Sequence, residues 1–306
     1  MHLGCSLLTK IGIIGLGVIG SRVSKHLINA GYQVIVHDIR SDIMESFKGL
    51  ATIASSVRQL GELSDIVLLT LPGPKEVYEV LFNPDGIVYG LRRGGIVINL
   101  STVGPRAAAD FWRQLKSYGI KYVDAAVTAP YMGYLAAEKG DLTVMVGCDD
   151  IMLFNEVQGV LRSFSKKVIY TGPVGTAQVV KLANNVMSAV AYLGVIEGTL
   201  WAVKHGVDPK VVYEVVKDGS GDSWALRNRL PRLIEGDFRP GFKTGLMLKD
   251  VGLFLEEARE LKMFTPVVCL VHQLIQAAMA LGLEELDWGA VVKVYETVNK
   301  VKVSPR

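Results

Sequence analysis

The sequence predicts an α/β chain in which a doubly wound, mainly parallel sheet is followed by an all-helical domain. Three observations predict it. Short apolar runs alternate with helix-spaced segments through the first half, a glycine fingerprint follows the first of those runs, and the alternation stops after Gly175.

Strand candidates are residues 11–14, 33–37, 66–71, 96–100, 121–124, 143–146 and 168–170. Several are apolar on both faces, as strands covered on both sides by helices must be. Segments with helical spacing, such as 21–30 and 77–81, lie between them. That rhythm implies βαβ units and a parallel sheet. From Thr176 to about His205 the chain reads as one helix of roughly 30 residues, far above the usual mean. Further helices are expected over 209–216, 224–235, 242–261, 266–281 and 290–301, with breaks at Gly206, Gly219-Ser220-Gly221, Gly236 and Gly282. The expected domains are 1–173, a dinucleotide-binding unit, and 174–306, an all-helical substrate and oligomerisation unit, joined by the long helix.

At 306 residues the chain has room for two ordinary domains. Its composition, 50% apolar and 21% charged, is that of a globular protein with a substantial core. A net charge of +3 is too small to argue for nucleic acid or an anionic membrane surface. Cys5, Cys148 and Cys269 are odd in number and far apart, so neither a disulfide framework nor a zinc site is expected, and a reducing cytoplasm is the natural setting. The five histidines are equally dispersed, and no metal site is expected. The apolar N-terminus runs straight into glycines and is read as a buried strand, with no signal peptide and no transmembrane helix expected.

Gly15-Leu16-Gly17-Val18-Ile19-Gly20 is a GxGxxG run that follows a strand and opens a helix. The first glycine permits a tight turn, the second lets backbone approach a pyrophosphate, and the third allows close helix–strand packing at a positive helix end. Asp38 ends the second strand 23 residues after Gly15, where a carboxylate accepts hydrogen bonds from the adenosine ribose. This favours NAD. Arg40, two residues on, could reach a 2′-phosphate, so NADP stays possible.

Lys181 and Asn185 lie one turn apart near the start of the long helix, in GPVGTAQVVKLANN, and therefore share a face. Their neighbours Val179, Val180, Leu182, Ala183, Val186 and Met187 are apolar, so part of this helix should be buried. A lysine that loses hydration beside such a surface becomes a usable proton donor and acceptor near neutral pH. A snorkelling lysine on a polar helix face is the plainer reading of the pair taken alone.

With these residues in hand, the chain resembles the β-hydroxyacid dehydrogenase family over nearly its whole length. GLGVIG is similar to the family's N-terminal signature, and Leu71-Pro72 followed by Val77 to its adenine-side loop. Asn99-Leu100-Ser101-Thr102 resembles its D-x-S-T segment, which puts Thr102 near the nicotinamide. Asp124-Ala125-Ala126-Val127-Thr128 resembles its substrate motif. Gly172-Pro173-Val174-Gly175, then Lys181 and Asn185, match its catalytic helix. Phe242, Lys249 and Asp250 match a later F…KD segment.

The resemblance implies a Rossmann-type first domain and oxidation of a small 3-hydroxy acid, of the 3-hydroxyisobutyrate or L-serine type. It implies Lys181 as acid/base, Asn185 and Thr128 on the substrate, and Phe242 and Lys249 beside the cofactor. It further implies pocket lining by Ala129, Ser223 and Trp224, and a homodimer or homotetramer. One departure concerns the substrate loop. The family's two glycines after Thr128 are replaced by Ala129 and Pro130, and the loop is about three residues longer, adding Tyr131, Met132 and Tyr134. Proline has no N–H to offer a carboxylate. An imine reductase and a non-catalytic dinucleotide-binding module are the alternatives on the same architecture.

Overall fold

The structure, a computed structural model, describes residues 9–304. Cys5 lies outside the described residues; Cys148 is a buried free thiol and Cys269 an exposed one. The chain divides into two compact units, the first ending at Lys181 and the second beginning at Leu182.

The first unit is built on strands β1 (Lys10–Ile14), β2 (Gln33–His37), β3 (Thr52–Ile53), β4 (Ile66–Leu69), β5 (Ile96–Asn99) and β6 (Lys121–Asp124). They pair in the order β3-β2-β1-β4-β5-β6, all parallel. Beyond them come β7 (Val127–Thr128), β8 (Leu142–Gly147) and β9 (Ser165–Gly172). β8 runs antiparallel to β6 and β7, and β9 is parallel to β8. Alternate strand residues feed two separate cores. Ile11, Ile13, Val34, Val36, Ile66 and Leu68 face one side, while Ile14, Ile35, Val67, Leu69 and Val97 face the other. This is the physical origin of the uninterrupted apolar runs in the sequence.

Helices α1 (Gly20–Asn29), α2 (Ser41–Glu45), α3 (Val57–Glu62), α4 (Pro74–Phe82), α5 (Pro105–Ser117), α6 (Gly133–Lys139) and α7 (Ile151–Arg162) connect the strands. The expected strand over 66–71 is shorter and ends at Leu69, although the Thr70 N–H still donates to the Ile14 carbonyl at 3.0 Å. The two-residue strands β3 and β7 are too short for a periodicity to reveal.

α8 (Thr176–Lys204) begins in the first unit and continues into the second. The second unit then adds α9 (Pro209–Val216), α10 (Trp224–Ile234), α11 (Thr244–Glu260), α12 (Pro266–Ala280) and α13 (Val292–Asn299). α8 is the one helix, among the described residues, long and apolar enough to cross a membrane by length and composition. Its Val186, Ala189, Tyr192, Leu193, Ile196 and Leu200 are instead buried in the core of the second unit. The burial expected around Lys181 is one-sided: Leu182 and Val186 are buried, but Val179, Val180 and Met187 are exposed.

One buried ion pair organises the second unit. Arg229 donates from Nη1 to Asp287 at 2.5 Å, both side chains being buried, and its guanidinium lies 4.2 Å from the Trp288 ring centre. Asp287 also accepts the backbone N–H groups of Gly241, Phe242 and Gly289, tying down the segment that leads into α11.

Candidate dinucleotide and hydroxy-acid site

The strand register gathers the predicted residues of the first unit at one edge. Ile14 pairs with His37 and Leu69, Leu69 with Asn99, and Asn99 with Asp124. Gly15, Asp38, Leu71, Thr102 and Thr128 therefore follow the carboxyl ends of neighbouring strands, where ligands bind in open α/β sheets.

The glycine loop is open at its middle glycine and tightly packed at the other two. Gly15 has φ +91°, and a Cβ there would lie 2.5 Å from the Thr70 carbonyl oxygen. A Cβ on Gly20 would lie 1.9 Å from the Gly15 carbonyl oxygen, whereas Gly17 meets nothing within 4 Å. Gly15 and Gly20 are thus required by backbone packing, and Gly17 opens the space into which a pyrophosphate fits. Leu16 is buried, Ile19 packs on the core and Val18 is exposed at the turn. Thr70 donates to the Gly15 carbonyl and clasps the loop from β4.

Asp38 closes this loop. Its Oδ2 accepts the Leu16 N–H at 2.6 Å, and its Oδ1 accepts the Arg40 N–H at 2.9 Å and Arg40 Nε at 3.3 Å. Burial opposes the Asp38 charge, but the N–H groups of Leu16 and Arg40 and the Arg40 guanidinium outweigh it, holding the carboxyl below its ordinary range. Arg40 is half exposed and paired with Asp38. Val77 is buried on α4.

Ser101 links two loops. Its N–H donates to Asn99 Oδ1 at 3.0 Å, and its hydroxyl accepts the Leu71 N–H at 2.9 Å. The Leu71-Pro72 and Ser101-Thr102 segments are thereby held side by side. Asp124 ends β6 fully buried. Burial pushes its carboxyl up to about 7, against hydrogen bonds from the Gln178 side chain and from the N–H groups of Gln178 and Gly175. Gln178 Nε2 donates to Asp124 Oδ1 at 2.6 Å, so the first turn of α8 is fastened to the sheet. Lys181, half-buried, lies three residues further along that helix.

Thr128 is half-buried on β7, and Ala129 packs against the core. The longer loop is held by Tyr131, whose hydroxyl donates to Asp141 and whose ring packs on the same core. Met132 is buried. Tyr131 and Met132 therefore shape the loop by packing.

In the second unit Asn185 is buried and donates from Nδ2 to Asp250 Oδ2 at 2.6 Å. Lys249 Nζ lies 3.1 Å from Asp250 Oδ1. The sequence placed Asp250 in a motif without a role; it joins Asn185 to Lys249. Phe242 packs on the core of this unit. Ser223 caps α10 by accepting the Leu226 N–H at 3.0 Å, and the Arg229 guanidinium lies 5.7 Å from the Trp224 ring centre. Among the described residues no three His, Cys, Asp or Glu side chains form a metal-ligating group.

Residues 10–172 match the family described as the NAD binding domain of 6-phosphogluconate dehydrogenase. Residues 175–295 match the family described as NAD-binding of NADP-dependent 3-hydroxyisobutyrate dehydrogenase. The chain is 32% identical to the 2-hydroxy-3-oxopropionate reductase of Escherichia coli, over 96% of this chain and all of that one. It is 31% identical to the mitochondrial 3-hydroxyisobutyrate dehydrogenase of Mus musculus, over 92% of this chain and 86% of that one. A solved Mycobacterium tuberculosis 3-hydroxyisobutyrate dehydrogenase with L-serine superposes with a TM-score of 0.83 at 25% identity, covering 94% of this chain and 99% of that one.

Proposed function

We propose a reaction for a chain that belongs to the β-hydroxyacid dehydrogenase family: oxidation of a small 3-hydroxy acid at its β-carbon to the semialdehyde. The chain is an NAD(P)-dependent oxidoreductase acting on a CH–OH group. The finer reading, a 3-hydroxyisobutyrate-like or L-serine-like substrate, draws on the mouse relative's name and on the ligand of the mycobacterial structure.

The observation that carries it is Lys181, three residues beyond Gln178 on a helix fastened to the dinucleotide-binding sheet, with Asn185 one turn later. Bound NAD(P) supplies the acceptor for the hydride that leaves the β-carbon. Lys181, when neutral, takes the hydroxyl proton and becomes an ammonium; in the reductive direction it returns that proton. A carboxylate only accepts hydrogen bonds, so Asp250 turns the Asn185 Nδ2 toward itself; Asn185 Oδ1 accepts Asn184 Nδ2 at 3.1 Å and keeps its second lone pair for an ammonium or a substrate hydroxyl. Thr128 offers its hydroxyl to the substrate carboxylate. This matters more here because Pro130 removes an N–H from the loop. Asp38 favours NAD over NADP by repelling a 2′-phosphate. Exposed Val180, Met187 and Trp201 on α8 support assembly into a homodimer or homotetramer.

The test is Lys181→Met. It lowers kcat by at least about 100-fold, the low end for general acid–base catalysis. NAD affinity and the folded fraction stay near wild type. The rise of oxidation rate with pH in the wild type disappears in the variant. A variant with wild-type kcat, or wild-type turnover confined to cyclic imines, overturns the assignment.

A further inference from the structure

We infer that Gln178 is a positioning residue for this reaction: its side chain locks the first turn of α8, and with it Lys181, to the 101–104 segment that carries Thr102. The inference rests on the acid/base role of Lys181 proposed above.

Gln178 is fully buried. An amide side chain has two N–H donors and one oxygen with two lone pairs, and here all four places are used. Nε2 donates to Asp124 Oδ1 at 2.6 Å and to the Ser101 carbonyl at 3.1 Å. Oε1 accepts the Val103 N–H at 2.8 Å and the Gly104 N–H at 3.1 Å. The Gln178 backbone N–H adds a bond to Asp124 Oδ2 at 3.2 Å.

Turning the amide over would set its oxygen against the Ser101 carbonyl, and its NH2 against the Val103 and Gly104 N–H groups. The amide has one orientation, and so does the helix turn that bears it. Its partners are not neighbours on the helix. They are the two N–H groups just past Thr102, the carbonyl just before it, and the carboxylate that ends β6.

Thr102 belongs to the segment expected at the nicotinamide and Lys181 to the helix expected to move the proton. One side chain therefore fixes the hydride side and the proton side against each other. Such alignment matters because a misplacement of about 1 Å costs on the order of 100-fold in rate. No residue type or local spacing marks Gln178 for this role.

The experiment compares Gln178→Met, Gln178→Glu and the pair Gln178→Glu/Asp124→Asn in the full chain. Gln178→Met keeps length and removes all four bonds. Gln178→Glu keeps the acceptor for Val103 and Gly104 but sets a carboxylate against Asp124. In the pair, the amide introduced at position 124 can donate to the carboxylate introduced at position 178, reversing the native bond. Each single variant is expected to lower kcat at least about 10-fold, with NAD affinity within about threefold of wild type and the far-ultraviolet dichroism retained. The pair is expected to regain a large part of the loss seen in Gln178→Glu. Amide exchange at Val103 and Gly104, faster in Gln178→Met, reads the lock without turnover.

Wild-type kcat in both single variants overturns the inference. So does a loss of kcat matched by an equal loss of folded protein, or unchanged exchange at Val103 and Gly104. A wild type that oxidises no hydroxy acid brings down the reaction reading instead, while the exchange measurement still decides whether the lock exists.

Discussion

Asn185 donates its amide to Asp250 at 2.6 Å, across 65 residues of chain. The same carboxylate lies 3.1 Å from the Lys249 ammonium, so one acid sets the orientation of an amide and the place of a cation.

Coupling between these residues follows. Asn185→Ala should raise KM and lower kcat less than Lys181→Met does, because its amide orients and does not carry the proton. Asp250→Ala should reproduce much of that loss. The double variant should cost less than the sum of the singles, with an interaction of about 0.5–3 kcal/mol in kcat/KM. Additive effects would show that Asp250 acts independently of Asn185.

Cofactor choice tests the closure of the glycine loop. Asp38→Ala should weaken NAD binding more than NADP binding, since it removes the carboxylate that disfavours a 2′-phosphate. It should also weaken both, because the Leu16 N–H loses its partner. Dissociation constants for the two dinucleotides, measured on wild type and variant, decide it. Tighter NADP than NAD binding in the wild type would mean that Arg40 dominates.

The Asp124 carboxyl gives stability a pH dependence. Burial raises it from 3.8 to about 7 in the folded protein, so the folded state binds more protons than the unfolded state between those values. Its contribution is present in full below about pH 4 and is lost as pH rises through 7. Between pH 5 and pH 7 the loss is on the order of 2 kcal/mol. Asp124→Asn should flatten that part of the curve in denaturant titrations. An unchanged slope would show that Asp124 does not titrate there.

Arg229→Met should be among the most damaging substitutions in the second unit. It leaves Asp287 buried without its closest cation, which costs about 3–5 kcal/mol. Arg40→Ala, at a half-exposed pair, should cost under about 1 kcal/mol. Unfolding midpoints of the two variants give the comparison.

What the sequence revealed and what it hid divide along contact range. The strands were legible as uninterrupted apolar runs because alternate residues feed cores on both faces: Ile11 and Ile13 face one side and Ile14 the other. The glycine loop and Asp38 were legible because their spacing is fixed by one βαβ unit. Lys181 and Asn185 stood out as a pair at helical spacing. Gln178 did not, because its amide meets Val103 across 75 residues and Asp124 across 54, distances over which sequence carries no periodicity. Asp250 was visible only as part of a matching motif, since its link to Asn185 is equally non-local. Tyr131 was visible only as part of a longer loop; its bond to Asp141 across ten residues and its packing on the core were not.

The three fingerprint glycines are not interchangeable as experimental handles. A side chain at position 15 or 20 collides with backbone, so its effect on binding is inseparable from damage to the apoprotein. A side chain at position 17 projects into open space and collides only with whatever ligand enters there. Gly17 is therefore the position at which the protein can be made blind to its dinucleotide while remaining itself. Such a variant would be a clean reference state for asking what the chain does without the cofactor.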